Sequence, residues 1–179
     1  PAQTTTYGIL KPVWVNGGVP TVRVSEMKTG TIDFDNLPTC DPKRASKFEK
    51  TKLQAGDLLV SKDGTIGKTA FVPLELVGGN STQHVLRFPI TDQVDRLYIR
   101  MAIDAPACQT WMAGETTGVA PKGVNVGEFR RMPIPLPPLS EQHRIVAKVD
   151  ELMALCNRLK AHFAESRARQ ERLATTLIE

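Results

Sequence analysis

A regular apolar seam in the last forty residues constrains the fold of this chain more than any other feature of its sequence. Starting at Ile145, alternating steps of four and three residues reach ten positions, eight of which are apolar or cysteine. Neither proline nor glycine occurs from residue 140 onward. This heptad spacing predicts an uninterrupted, coiled-coil-forming helix roughly 60 Å long, at about 1.5 Å per residue.

A helix of this length with so narrow an apolar stripe requires another surface along it. We expect the seam to bury against a partner helix through these residues: Ile145, Val149, Leu152, Leu159, Phe163, Leu173 and Leu177. The alternative is that the stripe packs back on the chain's own domain. The length of the helix argues against that alternative, because a domain of this size needs a much shorter helix to cover it.

A proline-rich segment separates the helix from the rest of the chain. Residues 132–139 contain four prolines, which favours an extended, semi-rigid strut. Ser140 predicts a helix N-cap, with Glu141 in the first turn, where the helix dipole favours negative charge. The sequence therefore predicts a globular domain over 1–139, ending in the strut at 132–139, and a spacer helix over 140–179.

The globular domain alternates short β-type segments with turns and short helices. Clusters of β-branched or apolar residues predict strands at 19–24, 32–34, 58–61, 69–72 and 84–88. Helices are predicted from Pro42, capped by Asp41, to about Lys50, over 92–104, and as one turn after Asn125 with Glu128 closing a capping box. The predicted fold class is α+β, a mixed globular domain followed by a long helix.

Several classes of function are excluded by what the sequence lacks. It has no run of about 18 apolar residues and no secretory signal pattern at its start, so we expect a cytoplasmic protein without a membrane span. Cys40, Cys108 and Cys156 are far apart and have no paired spacing, so neither a disulfide framework nor a metal site is predicted. No nucleophile context and no phosphate-binding glycine motif occurs. We therefore expect no catalytic residue, no metal and no cofactor. The chain also lacks an initial methionine and stops inside a helical pattern, which we interpret as a fragment.

Three segments together resemble the DNA specificity subunits of type I restriction–modification systems. They are Tyr7–Pro12 followed by Gly17–Val24, then Gly56–Lys68, and finally Ile134–Asp150. The third segment is the most specific, because a proline-rich strut, a serine cap and a seam helix occur together in few other contexts. The three segments span nearly the whole chain.

The resemblance implies an architecture and a set of partners. A full specificity subunit of this family carries two target-recognition domains, each followed by a helix, and the two helices pair antiparallel. Each domain reads one half of a split site in double-stranded DNA, while a methyltransferase subunit and a restriction subunit supply the activities. This chain resembles one domain plus one helix. We therefore expect it to pair with the other half of a specificity subunit, or with a second copy of itself, and to be non-catalytic.

DNA contact of this kind requires phosphate binders and readers of base edges. The basic run Lys43, Arg44 and Lys47, continued by Lys50 and Lys52, predicts phosphate contacts, although a solvated surface explains it equally well. The loop Lys62–Lys68 is predicted to approach DNA through its two glycines, Thr65 and the two lysines, with an ordinary hairpin turn as the alternative.

Base readers are expected on more variable loops. The candidates are Gln83, His84, Thr117 and Lys122, since glutamine suits adenine and lysine suits guanine; ordinary loop polarity is the alternative. Tyr7 and Lys11 are expected to line the same face, unless Tyr7 serves packing.

Two other functions remain open at this stage. The chain would serve as a coiled-coil interaction module without a DNA role if its globular part binds protein. It would also fit the recognition region of a fused restriction–methylation enzyme. Salt-dependent DNA affinity separates the first of these from the specificity subunit, because phosphate neutralisation predicts a steep fall with ionic strength.

Overall fold

The computed structural model describes residues 4–28, 30–115 and 123–176, with side chains described up to residue 170. The chain divides into two compact units, Pro1–Leu136 and Pro137–Glu179. The first is a mixed α+β unit and the second is dominated by one long helix. Among the described residues, no helix is both long and apolar enough to cross a membrane.

The first unit contains nine short strands, which form three sheets. Their bounds are β1 Thr6–Tyr7, β2 Trp14–Val22, β3 Met27–Lys28, β4 Thr31–Ile32, β5 Thr39–Cys40, β6 Leu58–Ser61, β7 Thr69–Phe71, β8 Asn80–Ser81 and β9 Val85–Phe88. A four-stranded antiparallel sheet has the order β1-β9-β6-β7, a three-stranded sheet has the order β5-β2-β8, and β3 pairs with β4.

Strand β6 lies inside the largest sheet and all four of its residues are buried. This explains why it appears in the sequence as a continuous apolar run rather than an alternating one. Strand β2, in the three-stranded sheet, is longer than predicted: it begins at Trp14, and its pairing with β5 shifts register between Trp14 and Val19. Gly17, with a φ of 72°, lies in that irregular stretch.

The core of the first unit lies between these sheets. Its main apolar cluster consists of Val22, Met27, Ile32, Leu53, Leu59, Ala70, Val72, Leu76 and Val85. One ion pair is buried beside it: Nε of Arg87 in β9 donates to the carboxylate of Asp57, and both side chains are almost fully buried. The same carboxylate accepts the backbone N–H of Gln54 at 2.9 Å. A buried charge pair of this kind requires such additional bonds to offset its desolvation.

Five α-helices occur in the described residues. Their bounds are α1 Pro42–Ala45, α2 Arg96–Asp104, α3 Pro106–Gly114, α4 Val126–Phe129 and α5 Leu139–Thr176. The predicted cap of α1 is confirmed, since Asp41 accepts the backbone N–H of Arg44 at 2.8 Å. The prediction that this helix runs to Lys50 is wrong: a 3-10 helix, Ser46–Thr51, takes over and bends at Phe48.

The structure differs from two other helix predictions and confirms the predicted cap of α4. Helix α2 starts at Arg96 rather than residue 92, because the side chain of Asp95 caps it. Helix α3 was not predicted, and Pro106 occupies its first turn. Asn125 caps α4 through the N–H of Gly127 at 2.8 Å.

The last residues of the strut, from Pro137 onward, and α5 form the second unit. Helix α5 begins at Leu139, so the prediction that Ser140 is its N-cap is wrong. The carbonyl of Pro138 accepts the N–H groups of Glu141 and Gln142 at 2.9 and 3.1 Å. The side chain of Gln142 then donates to the carbonyl of Pro137 at 2.8 Å. The start of the helix is therefore fixed by the proline pair, which contributes carbonyls without competing N–H groups.

Candidate nucleic-acid interface

An open groove of about 560 Å³ lies on the surface of the first unit and brings three separate segments together. The flanks of β2 supply Pro12, Trp14, Arg23, Val24 and Ser25; the loop after β6 supplies Asp63, Gly64 and Thr65; the turn before β9 supplies Thr82, Gln83 and His84. Two regions that the sequence predicts independently, the loop 62–68 and the turn at Gln83, therefore share one surface.

The first residue of the loop 62–68 is held by two backbone hydrogen bonds. The N–H of Lys62 donates to the carbonyl of His84 at 3.0 Å, and the N–H of Val124 donates to the carbonyl of Lys62 at 2.9 Å. At the tip, Gly64 has a φ of 70° and a side chain built there would meet no neighbouring atom. The tip is thus both exposed and able to approach another backbone closely.

The other end of the loop faces a different surface. Gly67 packs against Gln109 of α3, whose side chain donates to the Gly67 carbonyl at 3.2 Å, and a Cβ at Gly67 would lie 2.3 Å from that side chain. Lys68 lines a separate cavity with Gln109 and Asp104. The glycine at 67 is therefore explained by helix packing, and the structure does not bring Lys68 to the groove.

A chain of hydrogen bonds crosses the floor of the groove. The backbone N–H of Lys11 donates to Oε1 of Gln83 at 3.3 Å, so the amide nitrogen of Gln83 is the atom that lies 3.2 Å from Nε2 of His84. That nitrogen donates, which makes Nε2 the acceptor and leaves the ring proton on Nδ1. Nδ1 in turn donates to Oδ2 of Asp63 at 2.7 Å, where Nζ of Lys62 also donates at 2.7 Å.

This chain of bonds fixes the side chains that were predicted to read bases. Gln83 has committed its carbonyl and one N–H, so the remaining N–H of its amide is the group it can offer to a ligand. His84 is locked in one tautomer by Asp63. The backbone of Lys11 lies in the left-handed region, with a φ of 48°, at the point where it reaches Gln83.

The wall opposite contains a group that the sequence analysis missed. Arg23 donates from Nε and Nη2 to the carboxylate of Glu26, at 3.1 and 2.8 Å, and its Cζ lies 5.8 Å from the ring centroid of Trp14. Glu26 also accepts from the backbone N–H of Arg23 and from Ser25 Oγ, at 3.0 and 2.7 Å. Burial of Glu26 favours its neutral form, but these hydrogen bonds outweigh burial and lower its pKa below the usual range. The hydrogen bond to Glu26 likewise raises the pKa of Arg23.

The spacing of Arg23 and Glu26 is visible in the sequence, but their pairing depends on the turn between β2 and β3. Trp14 gave no signal either, because the strand predicted in this region begins at residue 19. Its side chain is exposed and lies in cation–π range of Arg23.

The basic run lies on α1 and the 3-10 helix, and its members differ in their surroundings. Lys43 and Lys47 are exposed. The guanidinium of Arg44 donates to the carbonyl of Leu10 and lies 5.3 Å from the ring centroid of Phe48. Lys52 forms an ion pair with Glu49 at 2.8 Å.

The remaining predicted residues fall in several places. Tyr7 is exposed on β1, whereas Thr117 and Lys122 lie outside the described residues. Along α5, Ile145 and Val149 are half-buried, while Leu152, Leu159 and Phe163 are exposed, with Phe163 at 73%. The side chains of Leu173 and Leu177 are outside the described part of the helix. Among the described residues, no group of three or more side chains of the kinds that ligate metals is close enough to hold an ion.

Residues 4–165 match the family model described as the type I restriction modification DNA specificity domain. The chain belongs to this family. Among curated relatives, the EcoBI specificity subunit of Escherichia coli is 25% identical over 174 residues, covering 96% of this chain and 36% of that protein. The EcoAI specificity subunit of the same species is 34% identical over 101 residues, covering 56% of this chain and 17% of that protein. The EcoKI specificity subunit is 25% identical and covers 94% of this chain and 37% of its own length.

Solved structures show the same fold. The HsdS subunit of Thermoanaerobacter tengcongensis superposes with a TM-score of 0.67 at 21% identity, over 93% of this chain and 45% of that chain. A chain from a structure describing complex assembly and conformational transition of the type I R-M system gives a TM-score of 0.63 at 19% identity, over 97% of this chain and 38% of that one. This specificity-domain chain thus spans well under half the length of these proteins. The predicted α+β class with a long C-terminal helix is confirmed.

Proposed function

We propose that this chain is a DNA-recognition module of a type I restriction–modification complex and reads one half of a split site. The observation that carries the proposal is the groove, which gathers half-buried and exposed polar side chains from three segments, of types able to read bases, onto one frame of backbone hydrogen bonds. Membership of the specificity-domain family and the names of its relatives support the same function.

In this proposal, the groove contacts base edges and the basic run contacts phosphates. The groove offers the remaining amide N–H of Gln83, together with Thr65 at the exposed tip of the loop, to base edges. Lys43 and Lys47, which are exposed, supply phosphate contacts that position the domain. Arg44 is engaged by Leu10 and Phe48, so it contributes mainly to holding the segment before β2.

The seam of α5 serves assembly. Leu152, Leu159 and Phe163 are exposed large apolar residues at heptad positions, and an exposed apolar stripe is the signature of an interaction surface. We propose that it pairs in coiled-coil fashion with an antiparallel helix, contributed by the second half of a specificity subunit or by a second copy of this chain.

Catalysis belongs to partner subunits in this proposal. A methyltransferase subunit and a restriction subunit would dock on the assembled specificity element, which itself contributes no reacting group and no cofactor. The complex acts on chromosomal and incoming DNA, and hence in the cytoplasm.

A second candidate is a coiled-coil interaction module without a DNA role. The exposed seam favours it, because that feature alone requires only a protein partner. It leaves the arrangement of hydrogen-bonded polar side chains in the groove without a purpose.

The deciding experiment is a reconstitution with the full chain. We would combine it with its cognate methyltransferase subunit, methyl donor and plasmid DNA, and map methylated adenines by sequencing. Methylation confined to one short motif is the expected result. As a control, a variant with Gln83→Ala and His84→Ala should form the same complex but lose or change the motif.

A complex that forms and methylates without regard to sequence would contradict DNA recognition and favour the interaction module. A motif unchanged in the control variant would retain DNA recognition but remove the groove as its site.

A further inference from the structure

Arg23 is held in one orientation by two different contacts. Its Nε and Nη2 atoms donate to the Glu26 carboxylate, and its Cζ lies 5.8 Å from the centroid of the Trp14 ring, within cation–π range. Glu26 is itself fixed by Ser25 and by the backbone of Arg23, and its side chain is only 7% exposed. The Arg23 side chain, by contrast, is 45% exposed and lines the groove. A rigid arginine that remains accessible is arranged to bind something else.

The contacts that hold Arg23 occupy a particular edge of its guanidinium. Nε and Nη2 form the side-on edge, and this is the edge given to Glu26. The end-on edge, formed by Nη1 and the second hydrogen of Nη2, is the one that remains for a ligand. Two parallel donors in that geometry match the O6 and N7 acceptors of guanine in the major groove. A phosphate presents two oxygens of similar spacing, so shape alone does not decide between the two ligands.

The charges around the groove decide between them. The positive charge of Arg23 is balanced by Glu26, and that of Lys62 is balanced by Asp63, each pair in direct contact at 2.8 and 2.7 Å. Of these four side chains, Arg23 and Asp63 line the groove; among the described residues that line it, the third ionisable side chain is His84, which also contacts Asp63. The four formal charges of these two pairs sum to zero, so the pairs offer a phosphate no net attraction, and a phosphate in the groove would approach the Asp63 carboxylate. A neutral base edge incurs no such repulsion.

We propose that Arg23 is a guanine-reading residue, with Glu26 and Trp14 as positioning residues that hold its end-on edge toward the DNA. This inference rests on the proposed function and adds to it one contacting residue and one base. Because its charge is compensated, Arg23 contributes discrimination among sequences and little to non-specific affinity. Preorganisation by a neighbouring shell is what makes such a contact selective.

The test uses the full chain in the reconstituted methyltransferase complex. Arg23→Gln combined with Glu26→Gln removes the donor fork while leaving the net charge unchanged and no buried charge unpaired. The matched control is Lys28→Gln with Asp33→Asn, which removes a surface ion pair outside both the groove and the basic run. Thermal unfolding of each variant shows whether it is folded. If the first variant is unfolded, Arg23→Lys replaces it, because lysine keeps the ion pair and lacks the fork.

Two readouts distinguish the outcomes: the methylation motif, and the affinity for duplexes that differ at one guanine, measured across salt concentrations. We expect the unaltered chain to specify at least one guanine in its half-site. The double variant should relax one guanine position, with a roughly 5- to 150-fold loss of preference, and leave the salt slope unchanged. The control should change neither quantity.

Three results would overturn the assignment of Arg23 while leaving DNA recognition intact. They are a half-site without guanine, a uniform loss of affinity with the salt slope reduced by about one, which indicates a phosphate contact, and a variant that behaves like the control. Loss of all sequence dependence in the unaltered complex is a different failure, because it would remove the proposed function and this inference together.

Discussion

The groove and the seam of α5 use opposite means to prepare for a partner. In the groove, polar side chains are bonded to one another, as in the Lys62, Asp63, His84 and Gln83 series, and few of their donors remain uncommitted. Along the helix, residues 150–170 are all exposed, including large apolar side chains. The groove is a preorganised polar surface that offers specific hydrogen bonds. The seam is an exposed apolar surface, and covering it stabilises a complex by about 1.5–3 kcal/mol for each large side chain that is buried.

The largest expected effect tests how much the buried ion pair of Asp57 and Arg87 stabilises the first unit. Asp57→Ala removes the carboxylate that accepts from the buried Arg87 guanidinium, and we expect the free energy of unfolding to fall by about 3 kcal/mol. Denaturant unfolding followed by tryptophan fluorescence measures it. Glu49→Ala, which breaks an exposed pair, should cost about 1 kcal/mol or less. Equal losses in the two variants would contradict the importance of burial.

The next effect tests the exposed apolar seam of α5. Leu159→Asp with Phe163→Asp places two charges on the seam, and we expect pairing of α5 with its partner helix to weaken about 100-fold or more. Sedimentation of the chain alone and of the assembled complex measures this. Ala161→Asp, on the opposite side of the heptad, is the control and should pair normally. A chain that is monomeric at micromolar concentration without any substitution would remove the self-paired form but not pairing with another half.

A smaller effect tests the hydrogen-bonded side chains of the groove. Asp63→Asn keeps the size of the side chain but removes the charge that accepts from both Lys62 and His84, so Gln83 loses its fixed orientation. We expect the preference for cognate over non-cognate duplex to fall about tenfold, in line with one base contact. Asp92→Asn makes the same charge change at another, exposed position and should leave the preference intact. A preference unaffected by Asp63→Asn would mean that the hydrogen-bond series is structural only.

The smallest effect concerns the basic run. Lys43→Ala and Lys47→Ala should each weaken binding to every sequence alike and reduce the slope of log affinity against log salt by about 0.9. Lys52→Ala serves as the control, since Lys52 is already paired with Glu49. Salt-dependent anisotropy with one cognate and one random duplex provides the measurement. Loss of sequence preference at Lys43 or Lys47 would show that these lysines read bases.

Local signals in the sequence predicted local structure well. The apolar run at 58–61 is a buried central strand, Asp41 caps a helix that begins at Pro42, and the fold class is that of the first prediction. Predicting both the loop 62–68 and Gln83 as DNA contacts implied that they lie on one surface. No short-range sequence pattern, however, predicts that these two segments meet.

The errors arise where contacts between distant residues decide. Gly67 was interpreted as a site of approach to DNA, yet its partner is Gln109, 42 residues further along in a helix that was not predicted. The group formed by Trp14, Arg23 and Glu26 was missed for the same reason: its members become neighbours only through the turn after β2 and the irregular pairing at its start. Periodicity and capping patterns carry no information about such encounters.

The frame under the groove has a consequence for how such a protein changes over generations. Ile9 donates to the carbonyl of Ser81 and accepts from Gln83, and Lys62 is bonded on one side to His84 and on the other to Val124, all through main-chain atoms. Main-chain bonds persist whichever side chains are attached. Positions 65, 83 and 84 can therefore be exchanged by mutation with the scaffold preserved, so the same scaffold is open to retargeting, by natural selection or by a protein engineer, without a new fold having to be found.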